Sequence, residues 1–176
     1  GPSVVIGHSM GGLVAQKIAE EGLARAAVFV TSAPPRGIVV LRWAVLSRVW
    51  RHAGLIFRSR PFLPTRENAA ALIANRLRPE LAEQLYPKLV PESGRAAREL
   101  ALGAISVDAR RVRCPTLVVG AEHDVITPAS VQRRIAAKYA STYLEAAGHA
   151  HMLMLEDGWE RPFDAILTWL DRAIGR

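Results

Sequence analysis

The sequence predicts an α/β chain: a mostly parallel sheet of about four strands flanked by helices, with an all-helical block inserted in its middle. Three observations predict it. Short β-branched runs alternate with helical spacing at both ends of the chain. A strand, a helix and a second strand follow one another within the first 30 residues, the length of a βαβ unit. Between residues 37 and 104 the apolar spacing is helical and prolines break it into pieces.

The elements follow in order. Residues 3–7 (SVVIG) are a β-branched run closed by glycine. Residues 11–21 space Leu13, Val14 and Ile18 along one helical face, and Gly22 ends that helix. Residues 26–30 (AAVFV) form the second strand. Pro34-Pro35-Arg36-Gly37 then interrupts the alternation. In the block that follows, Val39, Trp43, Leu46 and Trp50 share a helical stripe. Residues 65–78, 80–86 and 92–102 read as three further helices, separated by prolines at 79, 87 and 91. The alternation resumes with a strand over 115–120. Thr127 caps a helix that has Pro128 at its first position. A short strand covers 142–145. Asp157 and Glu160 suggest a capping box for a last helix that buries Phe163, Ile166, Leu167 and Leu170. This assigns residues 1–36 and 105–176 to an α/β core and 37–104 to a helical insertion.

Composition narrows the function. The chain has 176 residues, half of them apolar and 22% charged, which is the balance of a globular domain. Its net charge is +7, almost all from arginine. No nucleic-acid motif accompanies that charge, so no nucleic-acid partner is expected. One cysteine excludes an internal disulfide framework. No cysteine or carboxylate cluster completes a metal set around His149, His151 or His123, and no glycine-rich phosphate loop appears, so neither metal nor cofactor is expected. No run is long and apolar enough for a membrane span, and no leader precedes the first strand. A cytoplasmic location is the expectation.

Gly7-His8-Ser9-Met10-Gly11 is G-x-S-x-G between a strand and a helix, the context in which a sharp turn presents a serine hydroxyl at the sheet end. Glycines at 7 and 11 are expected to let the backbone pass. A serine needs a base, and the base an orienting acid. Asp124 follows the strand at 115–120, and His149 follows the strand at 142–145. Both therefore fall at the carboxyl edge of a parallel sheet, where sites form. Asp108 competes as the acid but precedes its strand. His151, two residues after His149, competes as the base. His8 is expected to pack or hydrogen-bond rather than react.

These strings, with Gly120-Ala121-Glu122-His123-Asp124-Val125-Ile126-Thr127-Pro128 and Gly148-His149, resemble the α/β-hydrolase superfamily, in particular capped lipase, lysophospholipase and monoacylglycerol-lipase-like members. The resemblance implies Ser9 as nucleophile, His149 as base, Asp124 as its partner and the Met10 backbone N–H as an oxyanion donor. His149 is preferred because it directly follows glycine. The implied reaction is hydrolysis of a small-molecule carboxylic ester with an apolar acyl part. The block at 37–104 becomes a cap, with Trp43, Leu46 and Trp50 lining a substrate pocket, packing on the core or touching an anionic membrane. Such a fold ordinarily has strands ahead of its nucleophile strand. The chain therefore reads as a C-terminal portion, with its first strand at an edge, its second oxyanion donor elsewhere and its activity impaired. A non-catalytic fragment and an acyltransferase are the alternatives. A haloalkane dehalogenase is disfavoured, because that chemistry needs aspartate at position 9.

Overall fold

The computed structural model describes residues 1–40, 45, 47–48 and 50–175. Four strands, β1 (Ser3–His8), β2 (Ala24–Val30), β3 (Thr116–Ala121) and β4 (Thr142–Ala146), form one sheet in the order β1-β2-β3-β4. Every pairing is parallel. The return path between neighbours must then be a crossover, and helices supply it. These are α1 (Met10–Glu20) between β1 and β2, and α6 (Ala129–Tyr139) between β3 and β4. The last helix, α7 (Glu160–Ile174), follows β4.

The central strands β2 and β3 are apolar on both sides because both their faces are covered. On one face Ala27, Phe29 and Val118 meet Ala15 and Ala19 of α1 and Val131, Ile135 and Ala136 of α6. On the other, Val28, Val30, Leu117 and Val119 meet Ile166 and Leu170 of α7. β1 pairs with β2 alone among the described residues, and Ile6 on it is 50% exposed, as the sequence predicts for an edge strand.

Between β2 and β3 the described residues include four α-helices: α2 (Ala53–Phe57), α3 (Arg66–Leu72), α4 (Pro79–Leu85) and α5 (Gly94–Ala101). Thr65 caps α3 by accepting from the Asn68 N–H, and Ser93 caps α5 by accepting from Ala96. One isolated antiparallel bridge, Phe62 with Glu92, ties the stretch together. Asn75 donates to the His123 carbonyl (3.1 Å) and Arg76 to the Gly148 carbonyl (3.2 Å), which fastens the stretch to the loops after β3 and β4. Trp43 and Leu46 lie outside the described residues. Trp50 is 67% exposed and Val39 is exposed too, so neither is buried as a packed stripe would be.

Several local expectations are corrected. The residue before α6 is Pro128, not Thr127, and Thr127 spends its hydroxyl on Asp124 and on the Thr31 carbonyl instead. Asp157 does not cap α7; it pairs with Arg78 at 3.2 Å, and Trp159 stands at the cap position. The buried stripe of α7 is Pro162, Ile166 and Leu170, at i, i+4 and i+8, while Phe163 and Leu167 are exposed. A periodicity of 3.6 marks an apolar arc wider than the surface its neighbour covers, and here the sheet covers one side of that arc.

Candidate active site

The turn from β1 into α1 puts Ser9 at φ 53° and ψ −121°. That is a positive φ on a residue with a Cβ, an uncommon and costly conformation. The surroundings hold it there. The Ser9 N–H donates to the Val30 carbonyl (3.0 Å), and its own carbonyl accepts from Gly12 (2.9 Å) and Ala33 (2.8 Å). Ser9 occupies the cap position of α1, yet its side chain caps nothing, which leaves the hydroxyl for other partners. Met10 is the first residue of α1, where backbone N–H groups lack intrahelical acceptors.

The glycine requirement differs from expectation. A Cβ on Gly7 would lie 2.1 Å from the Gly11 carbonyl oxygen, and one on Gly12 would lie 2.3 Å from Ser32 Oγ. A Cβ on Gly11 would meet nothing within 4 Å. The tight packing of α1 against β1 and the loop after β2 thus rests on Gly7 and Gly12, and Gly11 has room to spare.

Asp124 sits in the loop after β3 and is almost wholly buried. Its Oδ1 accepts from the backbone of Ile126 (2.8 Å) and Thr127 (3.0 Å), and its Oδ2 from the Thr127 hydroxyl (2.8 Å). Burial pushes the Asp124 carboxyl up. His151 and Thr127 outweigh that and hold it below the usual carboxylate range.

His151, not His149, meets both partners. Its Nδ1 is 2.9 Å from Asp124 Oδ2 and its Nε2 is 3.0 Å from Ser9 Oγ. A neutral imidazole has one N–H, and the ionised carboxylate takes it, so Nε2 presents its lone pair to the serine hydroxyl. The expectation of His149 is therefore corrected. Gly148, at φ 77°, begins a turn that consumes the next residue. There His149 donates its N–H to the Ala146 carbonyl and accepts from the His123 N–H (2.8 Å). The His149 ring turns to Glu156, with Nδ1 3.3 Å from Oε2 but outside hydrogen-bond geometry. Two more residues of chain are needed before a side chain reaches Ser9.

Other groups that sequence reasoning passed over hold this arrangement. Glu156 accepts from the Ala150 N–H (2.7 Å) and Glu122 from the Gly148 N–H (2.8 Å), which fixes the turn before His151. The His151 carbonyl accepts from His8 Nε2 (2.8 Å) and Thr31 Oγ1 (3.3 Å). Thr31 itself is held at φ 39°, rare for a β-branched residue. Behind Thr127 a buried network continues through Gln132, Ser32 and Gln16 to Tyr139. The buried glutamines at helix-core positions are the sequence signal for it, since a buried amide implies partners. Asp108 is remote from the site; it pairs with Arg110, which holds its carboxyl down to about 2. Among the described residues no three His, Cys, Asp or Glu side chains converge as a metal site would require. No helix among them is long and apolar enough to cross a membrane.

The comparisons with known proteins agree with this fold. A model of the alpha/beta hydrolase family matches residues 1–167. Comparison with curated proteins gives no match. A thermophilic esterase from Thermogutta terrifontis is similar at 25% identity and a TM-score of 0.70, over 98% of this chain and 66% of that one. A monoacylglycerol lipase from Paleococcus ferrophilus is similar at 22% identity and a TM-score of 0.67, over 96% and 68%. A methylesterase from Arabidopsis is similar at 15% identity and a TM-score of 0.70, over 97% and 70%. The last two speak to the fold alone. The chain thus spans about two thirds of the length of these solved structures. With the family model matched along nearly its whole length, the chain belongs to the alpha/beta hydrolase family.

Proposed function

We propose that this chain carries the nucleophile, base and acid of a serine hydrolase acting on carboxylic esters. The observation that carries the reading is the unbroken relay from Ser9 Oγ through His151 to Asp124, at 3.0 and 2.9 Å. Ser9 attacks the ester carbonyl, and His151 Nε2 takes its proton. The Met10 N–H stabilises the oxyanion that forms. His151 then gives the proton to the leaving alcohol, and water releases the acyl group by the same steps in reverse order. Asp124 keeps the His151 N–H at Nδ1 and offsets the positive charge that develops on the ring. The similarity to the Thermogutta terrifontis esterase supports ester substrates.

The helical stretch between β2 and β3 serves in this reading as the cap, with residues 37–104 as its extent. Its bonds to the His123 and Gly148 carbonyls, beside Asp124 and the turn to His151, support that role. The exposed Trp50 and Phe57 on it suit an apolar acyl group.

Fluorophosphonate labelling tests the reading. The chain is expected to label at Ser9. Ser9→Ala abolishes labelling, and His151→Ala slows it about a thousandfold or more, whereas His149→Gln keeps at least about a tenth of it. Absence of labelling in a folded chain, or equal losses from the two histidine variants, overturns it.

A further inference from the structure

A cavity of about 410 Å³ opens between the end of β4, the turn at 147–149 and the first turn of α7. Its lining includes none of Ser9, Asp124 and His151, so it is separate from the relay. Arg76, Arg161, His149, Glu145 and Asp157 supply its polar wall. The two acids are already committed: Glu145 to Arg133 and to the Tyr143 hydroxyl, Asp157 to Arg78. The cations are not. Arg76 spends only Nε, on the Gly148 carbonyl, and the Arg161 side chain has no ion-pair or hydrogen-bond partner among the described residues.

His149 is the second, independent sign. Its side chain is 8% exposed, and its Nδ1 lacks a hydrogen bond despite lying beside Glu156. Its Nε2 makes no hydrogen bond to any described residue either. Nδ1 is sealed in against Glu156, so Nε2 is the ring nitrogen left without a partner among the described residues. A group from outside the chain, seated in the cavity that His149 lines, would give Nε2 one. Two arginines lining one cavity are drawn together by an anion placed between them, and guanidinium forks match the oxygens of phosphate and carboxylate.

We propose that this cavity binds a small oxyanion, a phosphate group or a polycarboxylate, through Arg76, Arg161 and the His149 imidazole. The site does not depend on the catalytic reading of Ser9.

The test titrates the full chain with inorganic phosphate and, separately, with citrate, at constant ionic strength set by chloride. The His149 imidazole resonances and the thermal midpoint are followed. The expected result is a saturable shift of the His149 signals and a rise in midpoint with at least one anion. Phosphate alone identifies a phosphoryl ligand, citrate alone a carboxylate ligand, and saturation by both the shared oxyanion chemistry. Arg161→Gln weakens binding about tenfold or more. The Arg161 side chain makes no hydrogen bond or ion pair with a described residue and is exposed, so this variant keeps the fold. Ser9→Ala binds the anion unchanged while losing fluorophosphonate labelling, which separates the two readings. Absence of saturation with both anions, or undiminished binding in Arg161→Gln, overturns the proposal.

Discussion

The imidazole of His8 stands 5.0 Å from that of His151, and its Nε2 donates to the His151 carbonyl at 2.8 Å. The residue beside Ser9 in sequence therefore braces the backbone of the residue that faces Ser9 in space. Burial and the neighbouring His151 ring hold the His8 imidazole below its ordinary value of 6.5, so it stays neutral and keeps its donor role near neutral pH.

That depression has a sign. Below pH 6.5 the unfolded chain takes up a proton on His8 that the folded chain refuses, so the unfolded state binds more protons there. The stability His8 contributes is complete above that pH and is lost as pH falls through the lower, folded value. Asp124, held below its ordinary 3.8, adds a second loss at more acid pH by the same rule. Thermal midpoints measured against pH should fall on the acid side. In His8→Gln the first part of that fall should disappear, and fluorophosphonate labelling should slow by about tenfold as His151 loses its brace. An unchanged pH profile in the variant contradicts the assignment.

Glycine substitutions should divide sharply along the first helix. Gly7→Ala and Gly12→Ala force atoms to within 2.1 and 2.3 Å of a neighbour, so each should cost about 2 kcal/mol or more, or prevent folding. Gly11→Ala meets open space and should be neutral or stabilise by up to about 1 kcal/mol through helix propensity. Denaturant unfolding of the three variants measures this. A Gly11→Ala loss as large as that of Gly7→Ala would show the packing of the turn to be wrong.

The last helix offers a test of which side it buries. Ile166 is 4% exposed against the sheet and Phe163 is 42% exposed. Ile166→Ala should cost about 2–5 kcal/mol, as for other buried aliphatic truncations. Phe163→Ala should cost under about 1 kcal/mol, since most of its surface stays in water. Equal costs by chemical denaturation would return the helix to the wider stripe that its sequence suggests.

These particulars show where the sequence is legible. The alternation of strand and helix around Ser9 can be read because its periods differ and glycine punctuates both ends. The place of Asp124 can be read because a residue just past a parallel strand falls at the carboxyl edge of the sheet. The choice between His149 and His151 cannot, because it depends on how many residues the turn after β4 consumes. That number is set by the bonds the turn makes with His123, Glu122 and Glu156, residues outside it. Thr127 illustrates the same limit: it looks like a helix cap, but a buried carboxylate nearby is the stronger acceptor for its hydroxyl. Gly12 is legible only once Ser32 is known to lie against it.

Ser9 and His151 lie 142 positions apart along the chain and meet only across the assembled sheet. Before that assembly, residue 9 is an ordinary alcohol with no affinity for electrophiles beyond that of any other serine. Under the proposed function, chemical reactivity at this one atom is thus a gauge of whether the two distant stretches of the polypeptide have found each other. A covalent probe applied during refolding would read out that closure directly, with no need for a substrate.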